Sequence, residues 1–328
     1  GEKPSIKKLT MVFMDDDTAY AAVKAGEVDI ASIPGSFAKE EVEGKKLIEL
    51  DSIETYGVAY PMEQPGKTTA DGYPIGNAVT SDETIRKALT YAIDREELVE
   101  GILEGYGAPS STGLEKMPWL NEETIIKPEE DGKIEEAKKM LEEAGWKDTN
   151  NNGTIDKDGV EAEFDLLYTD GKYRQELGLA YVEVAKKLGI KVNLENRNWD
   201  TIVPEINSQA VLYGFGSGDP SEIYNLYSSK TFGVGVPWNN SGYYQNDKVD
   251  EYIDKALQSE DEDSALEYWK KAQWDGETGF SHMGDCAYTW FVNAGHLYLA
   301  DEDLDIGTPV VQPHGGKVLY NITEWSWK

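Results

Sequence analysis

"SDETIRKALTYAIDREELVEGILEGYG", residues 81–107, carries two helical signatures in series. Ile85, Ala88, Leu89 and Ala92 fall at the spacing of one buried helical stripe. Ser81 stands where a cap belongs, with Asp82 and Glu83 in the first turn, at the positive end of the helix dipole. Asp94 then breaks the stripe and suits the cap of a second helix that should stop at Gly105.

Working outward, the flanks alternate strand and helix. Upstream, "KLTMVFM" (8–14) is a short apolar run rich in strand formers, "DDDTAYAAVKAGE" is a helix ended by Gly26, and "VDIASI" is a strand. "KKLIELDSIETYGVAYPM" offers two more strands joined at Asp51–Ser52. Around "GKTTADGYPIGNAVT" the composition shifts to Gly, Thr, Asp and Pro, which marks a linker or crossover. Downstream, "KIEEAKKMLEEAGW" is a helix ended by Gly145, followed by the strand "AEFDLLY", the helix "YRQELGLAYVEVAKKLG" and the strand "IKVNLENR". "WDTIVPEINS" reads as a helix capped by Asp200, "AVLYGFG" as a strand, and "VDEYIDKAL" and "SALEYWKKAQWD" as helices. The tail from "YTWFVNAGHLYLA" to "KVLYNITEWSWK" reads as strand and extended chain. The order is that of an α/β protein.

The chain has 328 residues, 39% of them hydrophobic, enough for two domains or one large α/β unit. A net charge of -31 excludes nucleic acid as a partner, because the phosphate backbone would be repelled. Such acidity suits a very soluble protein working outside the cell or in a cation-rich medium. Cys286 is the only cysteine, so no intrachain disulfide forms. No apolar run is long enough to span a membrane, and no export signal is visible; the opening "GEKPSIKK" reads like the middle of a protein.

The residues argue against catalysis. His282, His296 and His314 lack the spacing of a helical zinc site and read as structural or surface residues. No G-x-S-x-G elbow occurs, and "GFGSGD" has the glycines of a phosphate cradle without the Lys and Ser/Thr that complete it. "DTNNNGTIDKDG" (148–159) resembles a calcium loop: Asp148, Asn150, Asn152, the Thr154 carbonyl and Asp156 occupy ligand positions and Gly153 the turn. The twelfth position is Gly159, not the bidentate Glu, so the loop is either a weak calcium site completed by water, with Asp158 or Glu161 reaching in, or an acidic surface turn. Nine Trp and nineteen Tyr residues suit the lining of a ligand cleft as well as a core. In "YGFGSGDP" a strand turns on glycines into a helix; Asp219 can cap that helix, with Pro220 and Glu222 in its first turn, or contact a ligand, or both. Free backbone groups at Gly216–Gly218 can face that ligand.

Several stretches together resemble one family. "AAVKAGEVDIASIP" (21–34), "DETIRKALTYAIDREELVEGILEGYGAP" (82–109), "EEAKKMLEEAGWKDTNNNGTIDKDG" (135–159), "GIKVNLENRNWDTI" (189–202) and "YGFGSGDPSEIYNLYSS" (213–229) are similar, in register, to segments of extracellular solute-binding proteins of the peptide, dipeptide and nickel class. "DGYPIGNAVTSDETIR" and "HLYLADEDLDIG" resemble its nickel/peptide subgroup more than the oligopeptide one. The resemblance implies a periplasmic-binding-protein-like (type II) fold of two lobes, with lobe I incomplete in this chain. Residues 1–78 would belong to lobe I, 79–297 to lobe II, and 298–328 would return to lobe I.

By the same resemblance the protein is the substrate-binding component of an ABC importer and not an enzyme. It would hold a short peptide or chelated nickel between lobes that close by a hinge and then deliver it to a membrane permease. The implied place is extracellular or cell-surface, or periplasmic in a cell with two membranes. Rival readings are an oligosaccharide receptor of the same fold and a secreted glycoside hydrolase. Tyr60, Trp119, Tyr213, Phe215, Ser217 and Asp219 are the expected ligand contacts. No cofactor is required, and any calcium in the acidic loop, a surface turn of lobe II in the family, would be structural.

Overall fold

The structure is a computed structural model that describes residues 4–316 and 318–328; Lys317, which opens the last expected extended stretch, lies outside them. The chain opens with α1 (Asp16–Ala25), β1 (Ile30–Ile33), β2 (Lys45–Leu50) and β3 (Thr55–Ala59). Then come α2 (Glu83–Ala92), α3 (Arg95–Ile102), β4 (Gly107–Pro109), α4 (Ile134–Glu143), β5 (Glu163–Tyr168), α5 (Arg174–Lys187) and β6 (Lys191–Asn196). The remainder is β7 (Ala210–Phe215), α6 (Ser221–Tyr227), α7 (Asp247–Gln258), α8 (Glu262–Gln273), β8 (Tyr288–Ala294) and β9 (His296–Asp301). No helix among the described residues is long and apolar enough to cross a membrane.

Local chemistry sets the helix ends. The Asp15 side chain accepts the Thr18 amide at the start of α1, and Gly26 closes it with a left-handed backbone. The α2 cap is Asp82, which accepts the Thr84 amide, and not Ser81. Asp94 caps α3 as expected. The helical turn Trp199–Ile202 is capped by Asn198, and Asp200 lies inside it. In both shifted cases the residue with a free side-chain oxygen one or two places along takes the amides.

Two sheets carry the molecule. One has three strands in the order β1-β9-β2, all antiparallel neighbours. The other has six, ordered β6-β5-β7-β3-β8-β4, with β5 parallel to β6 and β7 and the remaining pairs antiparallel. Its middle strands β3, β7 and β8 are buried on both faces. Successive side chains divide between two cores. Tyr56, Val58, Leu166, Leu212 and Phe291 face α2, α3 and α5. Ala59, Leu167, Val211, Tyr213 and Trp290 face the α6–α8 side.

β3 bonds to β7 on one side and β8 on the other, so residues 55–59 stand in the six-stranded sheet. The chain changes sheet at 51–54 on the way out and at Gly295 on the way back, since β9 already begins at His296. The expected strand at 8–14 does not form: Leu9, Met11, Val12 and Phe13 are exposed, and no described strand pairs with them. Strand propensity alone does not make a strand without a partner for its backbone groups.

Candidate ligand cleft

The two crossing segments are stitched together. The Ser52 hydroxyl donates to the Ala294 carbonyl, and the Glu54 carbonyl accepts from the Ala294 amide at 2.9 Å and the Asn293 side chain at 3.0 Å. The C-terminal tail lies alongside: the Ile53 amide donates to the Gln312 carbonyl and the Gln312 amide to the Asp51 carbonyl, both at 2.9 Å.

Beside this seam opens a concavity of about 720 Å³. Ile53, Met117, Val310, Val311, Pro313 and Tyr320 give it an apolar wall, and the ion pair between Lys116 and Asp51 stands at its rim. Val310, Val311 and Tyr320 are more than half exposed, unlike most large apolar side chains here. An apolar concavity with a few polar groups is the usual form of a small-ligand site. A second, enclosed cavity of about 10 Å³ lies between Ser281, His282 and Tyr288, room for a single water and no ligand.

The glycine turn after β7 borders the concavity through Gly218. Gly216 has φ +146, and a Cβ there would collide with the Ile53 carbonyl, so this position excludes every side chain. Of the free backbone groups expected here, the Gly216 amide and carbonyl and the Ser217 amide are already used. The Gly216 and Ser217 amides donate to the two carboxylate oxygens of Glu222, at 3.1 and 3.2 Å, and the Gly216 carbonyl accepts the His314 amide at 2.8 Å. Burial pushes the Glu222 carboxyl above its ordinary value, and the two amides oppose that rise. Asp219 accepts the Ser221 amide at 2.8 Å, which holds its carboxyl below the usual range, and its side chain is exposed.

The expected contacts therefore separate. Ser217 and Asp219 flank Gly218 at the rim. Tyr213 and Phe215 are buried beneath the turn, with ring centroids 5.1 Å apart, and the Tyr213 hydroxyl donates to Ser241. Trp119 packs in that same core. Tyr60 is fully buried: it follows β3 and shares hydrogen bonds with Tyr181 at 2.9 Å and Thr289 at 2.7 Å. Its alternation along the strand directs it inward.

The sequence does not single out Glu54, and it offers His296 and His314 only as structural or surface residues. Glu54 sits on the first crossing segment, His296 on the second and His314 on the tail. His296 Nε2 lies 2.8 Å from one Glu54 oxygen and His314 Nδ1 3.5 Å from the other, and the Tyr56 hydroxyl donates to Glu54 as well. Burial pushes the Glu54 carboxyl up, but the bonds from His296, His314 and Tyr56 outweigh it and hold the group well below the usual carboxylate range.

In the acidic loop, Asp148 accepts the Asn152 and Gly153 amides at 3.1 and 2.9 Å, and Asp156 accepts the Thr149 amide and hydroxyl. The Glu161 carboxylate reaches the side chains of Asn150 at 2.6 Å and Asn152 at 3.2 Å, and Asn152 accepts the Thr154 amide. Among the described residues no three His, Cys, Asp or Glu side chains converge as metal ligands do.

Known proteins share this sequence and this architecture. Residues 1–235 match the family described as "Bacterial extracellular solute-binding proteins, family 5 Middle". The chain belongs to this family. It is 34% identical over 309 residues to "Protein XP55" of Streptomyces lividans, covering 92% of this chain and 52% of that protein. It is 27% identical over 331 residues to "Oligopeptide-binding protein AppA" of Bacillus subtilis, covering 98% of this chain and 56% of that protein. The chain thus spans about half the length of the curated relatives it matches. The structure of AppA in complex with a nonapeptide superposes with a TM-score of 0.73 at 25% identity, covering 96% of this chain and 59% of that one. NikZ from Campylobacter jejuni in complex with Ni(L-His) superposes at 0.76 with 22% identity, covering 95% and 60%. The fold is that of type II periplasmic binding proteins of this family.

Proposed function

We propose that this family 5 protein is the substrate-binding component of an ABC importer, holding a short peptide against the wall formed by Ile53, Met117, Val310, Val311, Pro313 and Tyr320. The observation that supports a peptide most is that wall itself: it offers apolar surface for side chains, with one cation and one carboxylate at the rim for a zwitterionic ligand. Ser217 and Asp219 stand at the edge where the ligand's backbone would pass, while Tyr213, Phe215 and Trp119 share the core on which Met117 packs, and Tyr60 lies in the core on the other face of the sheet. The activity is binding without turnover, outside the cytoplasmic membrane, followed by delivery to a membrane permease. A second reading, a nickel chelate, is supported by the likeness to NikZ in its Ni(L-His) complex. We also propose that calcium, where it visits the acidic loop, is held weakly and structurally. Amide oxygens and water would supply most of its shell there.

The test is native mass spectrometry of the protein after incubation with a tryptic casein digest, and separately with nickel and L-histidine. Retained peptide adducts are expected. Retention of nickel–histidine alone would select the second reading, and steady hydrolysis of peptides or chromogenic glycosides would overturn both.

A further inference from the structure

We infer that the enclosed cavity beside His282 is a binding site for one water molecule, held between the Tyr288 and Ser281 hydroxyls, which fixes the loop that carries Met117. Four stretches of chain meet at this cavity: the loop 110–126 between β4 and α4, the end of α6, the end of α8 with the turn after it, and β8. The polar side chains that face it are of two kinds. His282, Gln273 and Thr124 are spent elsewhere. The His282 ring bonds the Thr124 carbonyl at 2.9 Å and the Tyr91 hydroxyl at 2.8 Å. Gln273 donates to the Trp119 and Trp269 carbonyls and accepts the Asn121 amide, and the Thr124 hydroxyl donates to the Asn121 carbonyl. The Ser281 and Tyr288 hydroxyl oxygens, by contrast, are buried and have no hydrogen-bond partner among the described residues, each other included.

A buried hydroxyl without a partner gives up the bonds it made in water and gains nothing for them. A cavity of about 10 Å³ is the smallest that holds a water, and a polar one holds it where an apolar one stays dry. Such a water makes about three bonds. Tyr288 donates one of them, since burial pushes its phenol well above the ordinary value and keeps its proton on. The Ser281 oxygen accepts a second. Thr112 supplies a third: its oxygen already accepts the Leu114 amide at 2.9 Å, and its proton is left to give. No carboxylate lines the cavity, so a metal cation finds no counter-charge there. The turn after α8 shuts the site. A Cβ on Gly279 or Gly284 would stand 2.1 Å from a backbone carbonyl oxygen, so the chain is folded tightly on itself and the water leaves only when the turn opens. Met117, on the loop 110–126, lines the concavity and packs on the core that holds Tyr227, Phe280 and Tyr288. The water is therefore a polar joint behind the wall, tying that loop to β8.

A high-resolution crystal structure of the natural protein tests the site directly. One water peak within hydrogen-bond distance of both hydroxyls is expected. No peak, or hydroxyls bonded to each other or to the chain, overturns the site. A double-mutant cycle in urea tests the bridge. Ser281→Ala and Tyr288→Phe together should lower the folding equilibrium constant about fivefold less than the product of the two single effects, because either change alone already frees the water. Effects that simply multiply overturn the bridge. Should Tyr288→Phe fail to fold, the crystal structure of the natural protein decides alone. Hydrogen exchange of peptides covering 111–126 tests the hold on the loop: it should quicken about fivefold in Ser281→Ala. Unchanged exchange there would overturn the role given to the water, whatever the crystal shows.

Discussion

Gly216 is the residue on which the turn beside the concavity depends. Its φ of +146 is closed to side chains, and the Ile53 carbonyl occupies the place of a Cβ. Gly216→Ala is expected to destabilise by about 1–3 kcal/mol from backbone strain alone, with the overlap in addition. Urea denaturation measures this; an unchanged midpoint would mean that the turn is not held against Ile53. A second residue governs the response to acid. Burial pushes the His282 imidazole down to about 4, against the bond it donates to the Thr124 carbonyl. Its Nδ1 accepts the Tyr91 hydroxyl at 2.8 Å, so the ring is neutral and fully used. A base whose folded value is depressed binds its proton more readily when unfolded, at its ordinary value of about 6.5. Stability is therefore complete above about pH 6.5 and falls as pH drops toward 4, by about 3 kcal/mol at most. Denaturation midpoints at pH 7 and 4.5 should show that fall in the natural protein and a smaller one in His282→Gln. An equal fall in both would move the acid sensitivity to another group.

Elements differ in how far their residues announce them. The helices are legible because a stripe and a cap lie within a few residues of each other, as in α2, α3 and α7. Strands are legible in place but not in company. β3 follows β2 by four residues, yet its partners are β7 and β8, far along the chain. The apolar run at 8–14 has the composition of a strand and no described partner. The site is less legible still. Glu54 and His296 meet across 242 positions of sequence, and neither stands in a motif. Tyr213 and Phe215 were legible as aromatic, but which face of the sheet they take is decided by the helices packed against it. The acidic loop is the opposite case, a local pattern whose use is not fixed by its own residues. Glu161, on the short hairpin after the loop, brings its carboxylate to Asn150 and Asn152. With a dissociation constant of about 1 mM, 10 mM calcium would add about 1.4 kcal/mol and raise Tm by only a few degrees. That rise is expected in the natural protein and should be absent in Glu161→Ala. No rise in either, and no heat on calorimetric titration, would show that the loop is a turn and nothing more.

For the whole molecule, the question is which surface does work that its own folding does not require. A core side chain serves both stability and shape, so changing it confounds the two. Phe215 and Tyr60 are of this kind, buried in the two cores that flank the six-stranded sheet. The wall of the concavity is different. Tyr320 is 64% exposed and Val311 52%, so removing either leaves little packing behind. Their exposure also sets what a ligand can gain there. Covering about 100 Å² of apolar wall contributes about 2.5 kcal/mol. Tyr320→Ala should forfeit about 1–2 kcal/mol of that, a five- to thirtyfold loss of affinity. Val311→Asp should do at least as much, because a carboxylate then has to be covered by the ligand without a partner. In both variants the unfolding midpoint should stay within about 0.5 kcal/mol of the natural protein, as it does for most exposed positions. Lys116→Ala should weaken binding less, and mainly at low salt, since its pairing with Asp51 is at the rim. The measurement is calorimetric titration with one peptide recovered from the casein digest, beside urea denaturation of each variant. Lost affinity with kept stability would place the ligand on this wall. Kept affinity in Tyr320→Ala and Val311→Asp together would place it elsewhere on the molecule and remove the structural support for a peptide.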